Sequence, residues 1–173
     1  MTTESEFPGL FQIARRWIFD SGASKDFCGQ KDVDKFATYL RKVKPIRIGT
    51  ASGTVMMDKV VDAKLPWDTG NPRPIHILPD TPPLLSMGRT IESGFSFYWN
   101  NGFYPCLVSG KTKQIFLLDV SGGLPVMVQG GSFEKIREQR IIQALTGVHM
   151  TTDGDKTRIT HEVLAPSDAW PLS

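Results

Sequence analysis

The residue types that read most clearly as working chemistry lie at 17–24, Trp17-Ile18-Phe19-Asp20-Ser21-Gly22-Ala23-Ser24. A strand-forming apolar run stops at a carboxylate, which is followed by a hydroxyl, a glycine, a small residue and a second hydroxyl. The run would deliver Asp20 to a buried floor. Gly22 lets the backbone turn sharply and bring an N–H to the carboxylate, because no Cβ blocks the approach. Ser21 and Ser24 offer hydroxyls that donate to carboxylate oxygens or lock the loop. The plainer reading of the same residues is an Asp-Ser-Gly turn closing a strand.

Hydrolysis by carboxylates needs two of them sharing a proton. The ionised one takes a proton from water, and the protonated one polarises the bond under attack. Two such groups cannot both ionise readily, so their titrations split and belong to the pair. This chain has one Asp-Ser-Gly loop. The nearest second copy, Asp119-Val120-Ser121-Gly122, carries an extra residue after the aspartate. If Asp20 is catalytic, its partner must be Asp20 of a second chain, which predicts a homodimer around a two-fold axis.

Other chemistries find less support. His76, His149 and His161 are far apart and show no metal-ligand spacing, and Cys28 and Cys106 form neither a Cys-x-x-Cys pair nor a disulfide framework. The thiols read as buried or half-buried groups in a reducing compartment. No Gly-x-Ser-x-Gly elbow supports a serine hydrolase built on Ser21 or Ser52. A net charge of +2 is too small to argue for nucleic acid or a membrane surface. The cluster Arg41, Lys42, Lys44 and Arg47 reads as the solvated end of a helix and the strand after it. No apolar run approaches the ~18 residues of a membrane span, and the polar, acidic start Met1–Glu6 does not resemble a signal peptide.

The elements that must hold Asp20 can be read in outline. The 173 residues suit one domain with an appendage, and 16 Gly with 12 Pro favour turns and strands over a helical bundle. Residues 1–9 read as a flexible leader. Trp17–Phe19 is a strand. Val33, Phe36, Ala37, Leu40 and Val43 recur at three- and four-residue steps, which predicts an amphipathic helix from Lys31 to Val43, ended by Lys44-Pro45. Ile46–Met57 has two strand-prone arms around the tip Thr50-Ala51-Ser52-Gly53, a hairpin pattern. Asp58–Pro83 is rich in proline and turn residues, with Ile75–Leu78 as a strand. Strands are also expected at Gly94–Trp99, Phe103–Val108, Gln114–Val120 and Leu124–Val128. Ser132 would cap a helix reaching Leu145, and residues 148–164 read as a hairpin around Asp153-Gly154-Asp155.

Two segments complete a larger pattern. Thr81-Pro82-Pro83-Leu84-Leu85-Ser86-Met87-Gly88-Arg89 runs from a proline-containing approach through an apolar pair and a small residue into Gly and a short helix. Together with Trp17–Ser24 and the intervening hairpin, it resembles the retroviral-type (retropepsin-like) aspartic proteases. The copia-type proteases of LTR retrotransposons are the nearest in form, with a Leu-Leu-Ser-x-Gly matched at Leu84, Leu85, Ser86 and Gly88. The resemblance covers residues 10–130, and 131–173 would be a C-terminal helix-and-hairpin extension of unassigned role. It implies a mainly β, retropepsin-like acid protease barrel with one or two short helices and an α/β extension.

What the resemblance implies for individual residues is specific. Asp20 would be the catalytic carboxylate. Ser21 would brace the two loops across the dimer, Gly22 would hold its N–H to the carboxylate pair, and Ser24 would hydrogen-bond Asp20. Ala23 completes that loop. Gly49, Thr50, Ala51, Ser52, Gly53 and Thr54 would form a flap over a polypeptide substrate. Leu84 and Leu85 would wall the subsites, with Gly88 and Arg89 supporting the dimer. No cofactor, metal, nucleic acid or membrane is implied. The setting would be cytoplasmic, within retrotransposon particles, with the element's own polyprotein as substrate. The sequence departs from the pattern after Ser24, where copia-type loops usually carry a histidine and this chain reads Lys25-Asp26-Phe27. Asp26 reads as exposed, or as a salt-bridge partner of Lys25 or Arg47. The competing reading is a catalytically silent protein of the same fold that serves as a dimerisation or peptide-binding module.

Overall fold

Arg16–Asp20 alternates exposed and buried side chains and forms the first strand, β1, with Trp17 and Phe19 turned inward. The computed structural model describes residues 7–100, 104–129, 148–153 and 156–161, and the chain divides into two units, Met1–Arg89 and Thr90–Ser173. The described residues are mainly strand, with a few short helices.

In the first unit a single helical turn, α1 (Leu10–Ile13), precedes β1. Leu10 and Ile13 are buried, and the Trp17 indole N–H donates to the carbonyls of Leu10 (3.2 Å) and Ala14 (3.0 Å). One buried side chain thus fastens the turn to the strand. Pro8 and Gly9, expected in the flexible leader, are tied down: Lys64 N–H donates to the Pro8 carbonyl at 2.8 Å, and Gly9 bridges Lys64.

After the Asp20 loop come β2 (Asp26–Gly29), the short helix α2 (Gln30–Val33) and a 3-10 segment, Asp34–Tyr39. The next strands are long: β3 (Leu40–Thr50), β4 (Gly53–Leu65) and β5 (Asp68–Leu78). β6 (Leu84–Ser86) leads into α3 (Met87–Glu92). Within this unit the order is β1-β6-β2-β5-β4-β3, with β1/β6 and β2/β5 parallel and the other neighbours antiparallel. The order does not return to its start, so these six strands form an open, mixed sheet.

The helix expected over Lys31–Val43 stops at Tyr39 and is broken on the way, Phe36 lying outside helical geometry (φ −114°, ψ 24°). Of the five residues that suggested the helical face, only Val33 is buried, so burial supplies little to hold a longer helix. The β-branched pattern around Ile46 and Ile48 instead extends β3 back to Leu40. Pro45 is tolerated because it falls at the register shift between Lys42 and Ile46, where the ladder is already interrupted. The basic cluster therefore lies on β3, and Arg41 pairs with Asp62 of β4 through two hydrogen bonds of 2.6 and 3.0 Å. The proline-rich stretch after Asp58 is also more regular than its composition suggests, since β4 and β5 run through most of it.

In the second unit, β7 (Phe95–Tyr98), β8 (Cys106–Ser109) and β9 (Ile115–Leu117) form an antiparallel meander around the Phe95–Phe116 ring contact. β10 (Asp119–Ser121) and β11 (Leu124–Val128) form a tight hairpin, so the Asp119 sequence is an ordinary strand and turn. β12 (Val148–Asp153) pairs with β13 (Lys156–His161), as the sequence suggested. The helix expected from Ser132 to Leu145 lies outside the described residues. No helix among the described residues is long and apolar enough to cross a membrane.

Candidate active site

Asp20 ends β1 directly opposite Ser86 of the parallel strand β6, with Phe19 opposite Leu85 and Ile18 opposite Leu84. The expected loop and the expected Leu-Leu-Ser segment are therefore neighbours in one sheet. Asp20 is half-buried, and its Oδ1 accepts the Gly22 N–H at 2.7 Å. A Cβ on residue 22 would lie 3.3 Å from that same oxygen, a crowded approach that glycine avoids. Ser21 and Ser24 are exposed. Among the described residues the Asp20 carboxylate has one hydrogen bond, from Gly22, so the bond expected from Ser24 is not made in this chain.

The loop is held from beneath by a buried ion pair that sequence reasoning did not find. Asp26, expected to be exposed, is fully buried and faces Arg73 of β5, whose side chain is only 9% exposed. Arg73 grips it in a two-pronged arrangement, Nε to Oδ2 at 2.5 Å and a terminal nitrogen to Oδ1 at 2.9 Å. Asp26 Oδ1 also accepts the Ser86 backbone N–H at 2.7 Å. The Ser86 hydroxyl donates to the Ala23 carbonyl at 2.6 Å and accepts the Arg89 N–H at 3.2 Å. Four segments thus meet in one polar network: the Asp20 loop, β2, β5 and the β6–α3 junction. All four residues of β2 are buried, and that is why an acid at its first position needs a cation. The sequence signal was available in the apolar Phe27-Cys28 following Asp26. Arg73 was hidden between Pro72 and Pro74 in a stretch that read as turn.

The hairpin forms as expected, with Gly49 opposite Thr54, Thr50 opposite Gly53, and Ala51-Ser52 as its two-residue turn. Gly53 takes φ +129°, a conformation costly for other residues, and Thr50 Oγ1 donates to its carbonyl at 2.8 Å. All six tip residues except Thr50 are exposed. Lower down, Ile46, Ile48 and Val55 pack with Ala23 and Leu84 against Phe27, Met57 and Leu78. The structure therefore brings together the Asp20 loop, the base of the hairpin and Leu84. Leu85 is fully buried beneath them, whereas Gly88 is exposed and Arg89 half-buried on α3.

Electrostatics narrows the remaining chemistry. Burial pushes the Cys28 and Cys106 thiols up to about 12, with Asp32 adding to the effect on Cys28, so neither is a ready nucleophile. His76, opposite Phe27 in β5, is held below its usual value by burial first, then by Lys25; Arg89 adds a smaller push in the same direction. No group of three or more His, Cys, Asp or Glu among the described residues could hold a metal ion. No known family model matches the chain, and no curated protein matches it.

Proposed function

We propose that this chain is an aspartic endopeptidase of the retropepsin-like type, active as a homodimer. Asp20 and Asp20 of the partner subunit would share one proton, activate a water and polarise the scissile carbonyl of an extended polypeptide. The observation that carries the reading is the placement of Asp20. It is a half-buried carboxylate at a strand end, bonded to the Gly22 N–H and opposite Ser86, beside an apolar cluster shared by its loop, the hairpin base and Leu84. A single carboxylate cannot supply both the base and the acid, so the proposal requires the second chain. The copia-type resemblance extends the proposal to processing of a retrotransposon polyprotein, with Gly49–Thr54 closing over substrate. The test is Asp20→Asn with a peptide-cleavage assay from acidic to neutral pH, alongside mass in solution. Wild-type cleavage abolished by the substitution, in a dimer, is the expected result. Cleavage that survives it, or activity from a strict monomer, refutes the mechanism.

A further inference from the structure

Beside the apolar cluster the first unit brings together cationic side chains that form no ion pair among the described residues. His76 is 7% exposed, its ring lies 6.2 Å from that of Phe27, and its Nδ1 is buried without a hydrogen-bond partner. Its ring also engages the Asp26 backbone. Lys25 and Arg89 are half-buried, act electrostatically on His76, and form no ion pair with a described residue. The acid facing this group, Asp26, is already held by Arg73. From the β4 side His76 meets Val60, which carries no charge. A buried ring nitrogen with no partner, acted on by two cations that make no ion pair with a described residue, is an incomplete arrangement: burial without a partner costs free energy that a ligand can return.

We infer that Lys25, His76 and Arg89 form a subsite for a carboxylate side chain of the substrate, so that the cleft prefers glutamate or aspartate at one position flanking the scissile bond. The inference rests on the proposed protease function and specifies its substrate class. Phe27 joins this subsite to Ala23, Ile46, Ile48, Val55 and Leu84, whose partial exposure leaves apolar surface between loop and hairpin. An acidic side chain entering there would lay its methylenes on that surface and its carboxylate against the cations. His76 then takes up a proton at Nδ1 and donates it as a hydrogen bond to the carboxylate. Binding therefore consumes a proton, and the preference strengthens as pH falls from neutral, until the substrate carboxyl itself protonates near its ordinary value of about 4.3.

The experiment uses the full chain and paired peptides that differ only by Glu or Gln at each position around the cleaved bond. At one position the Glu peptide should be favoured in kcat/KM by about tenfold or more, the scale of a charge-assisted contact. Lys25→Glu should remove or invert the preference, and His76→Gln should flatten its pH dependence. Asp20-dependent cleavage with a ratio near one at every position overturns the subsite while leaving the protease reading intact. A readout independent of catalysis follows the His76 ring proton by NMR in the Asp20→Asn chain. Its titration should move to higher pH with the Glu peptide and stay put with the Gln peptide. An equal response to both, or a shift produced by dimerisation alone, overturns the inference even if no peptide is ever cleaved.

Discussion

Asp26→Asn isolates the charge in the network beneath the Asp20 loop. Asparagine keeps nearly the same shape and an oxygen for the Ser86 N–H, now 2.7 Å from Oδ1, but it gives up the negative charge facing Arg73. Arg73 cannot turn to solvent easily, since its side chain is 9% exposed and two of its nitrogens are aimed at Asp26. Breaking a buried pair from one side typically costs about 3–5 kcal/mol, because the remaining charge stays buried. For a chain of this size that corresponds to roughly 6–20 °C in Tm. Urea and thermal unfolding of wild type and Asp26→Asn measure the loss, and Asp26→Leu with Arg73→Met closes a double-mutant cycle. The double variant should recover most of the stability, since an apolar replacement of both partners removes the desolvation cost as well. A loss below about 1 kcal/mol for Asp26→Asn would refute burial of the pair, that being the range of solvent-exposed ion pairs.

Four further outcomes follow from particular residues. Gly22→Ala places a Cβ 3.3 Å from Asp20 Oδ1 and should lower cleavage at least tenfold while changing unfolding free energy by under about 1 kcal/mol. Cys28 and Cys106, raised to about 12, should be only about one part in ten thousand thiolate at pH 8 and react with a disulfide reagent only on unfolding. His76 is depressed below 6.5 in the folded chain, so the unfolded chain takes up the proton first as pH falls. Folding should therefore lose stability below about pH 6.5, and His76→Phe should remove that part of the slope. Gly53→Val, at φ +129°, should cost about 1 kcal/mol or more in unfolding measurements.

The residues that announce themselves locally were legible, and those that depend on distant partners were not. Trp17–Phe19 as a strand, the tip at Thr50–Gly53, and Leu84–Ser86 leading into a short helix each rest on neighbours in sequence, and each forms. The Lys31–Val43 helix failed because three- and four-residue spacing of apolar residues says nothing about whether a core awaits them. Phe36, Leu40 and Val43 end only half-buried, and Ala37 is exposed. Asp26 was misplaced for a related reason. A charged residue two positions after Ser24 reads as surface unless its cation is known, and Arg73 lies 47 residues away, brought beside it by the parallel pairing of β2 with β5. The unpartnered His76 nitrogen has no sequence signature, because it is defined by what fails to reach it.

The two sides of the site differ in burial and hydrogen bonding, and this has a measurable consequence. On the Asp20 side, backbone and side-chain bonds from β2, β5 and β6 converge on Asp26 and Ser86, all within buried surroundings. On the hairpin side, Met57, Val60 and Val61 are buried at the base, whereas Ala51–Thr54 is exposed and its described side-chain bonds join Thr50 to Ser52 and Gly53. Local opening free energy follows buried contact, so protection should fall along the hairpin toward its tip. Amide exchange should be slowest at Val60 and Val61 and fastest at Ser52 and Gly53. A peptide mimic with a secondary hydroxyl in place of the scissile carbonyl should slow exchange at the tip and leave the base unchanged, as expected of a flap that closes on substrate. Equal protection from base to tip, or a tip indifferent to a mimic that does bind, would mean that Gly49–Thr54 is a structural hairpin and that substrate is held by other parts of the chain.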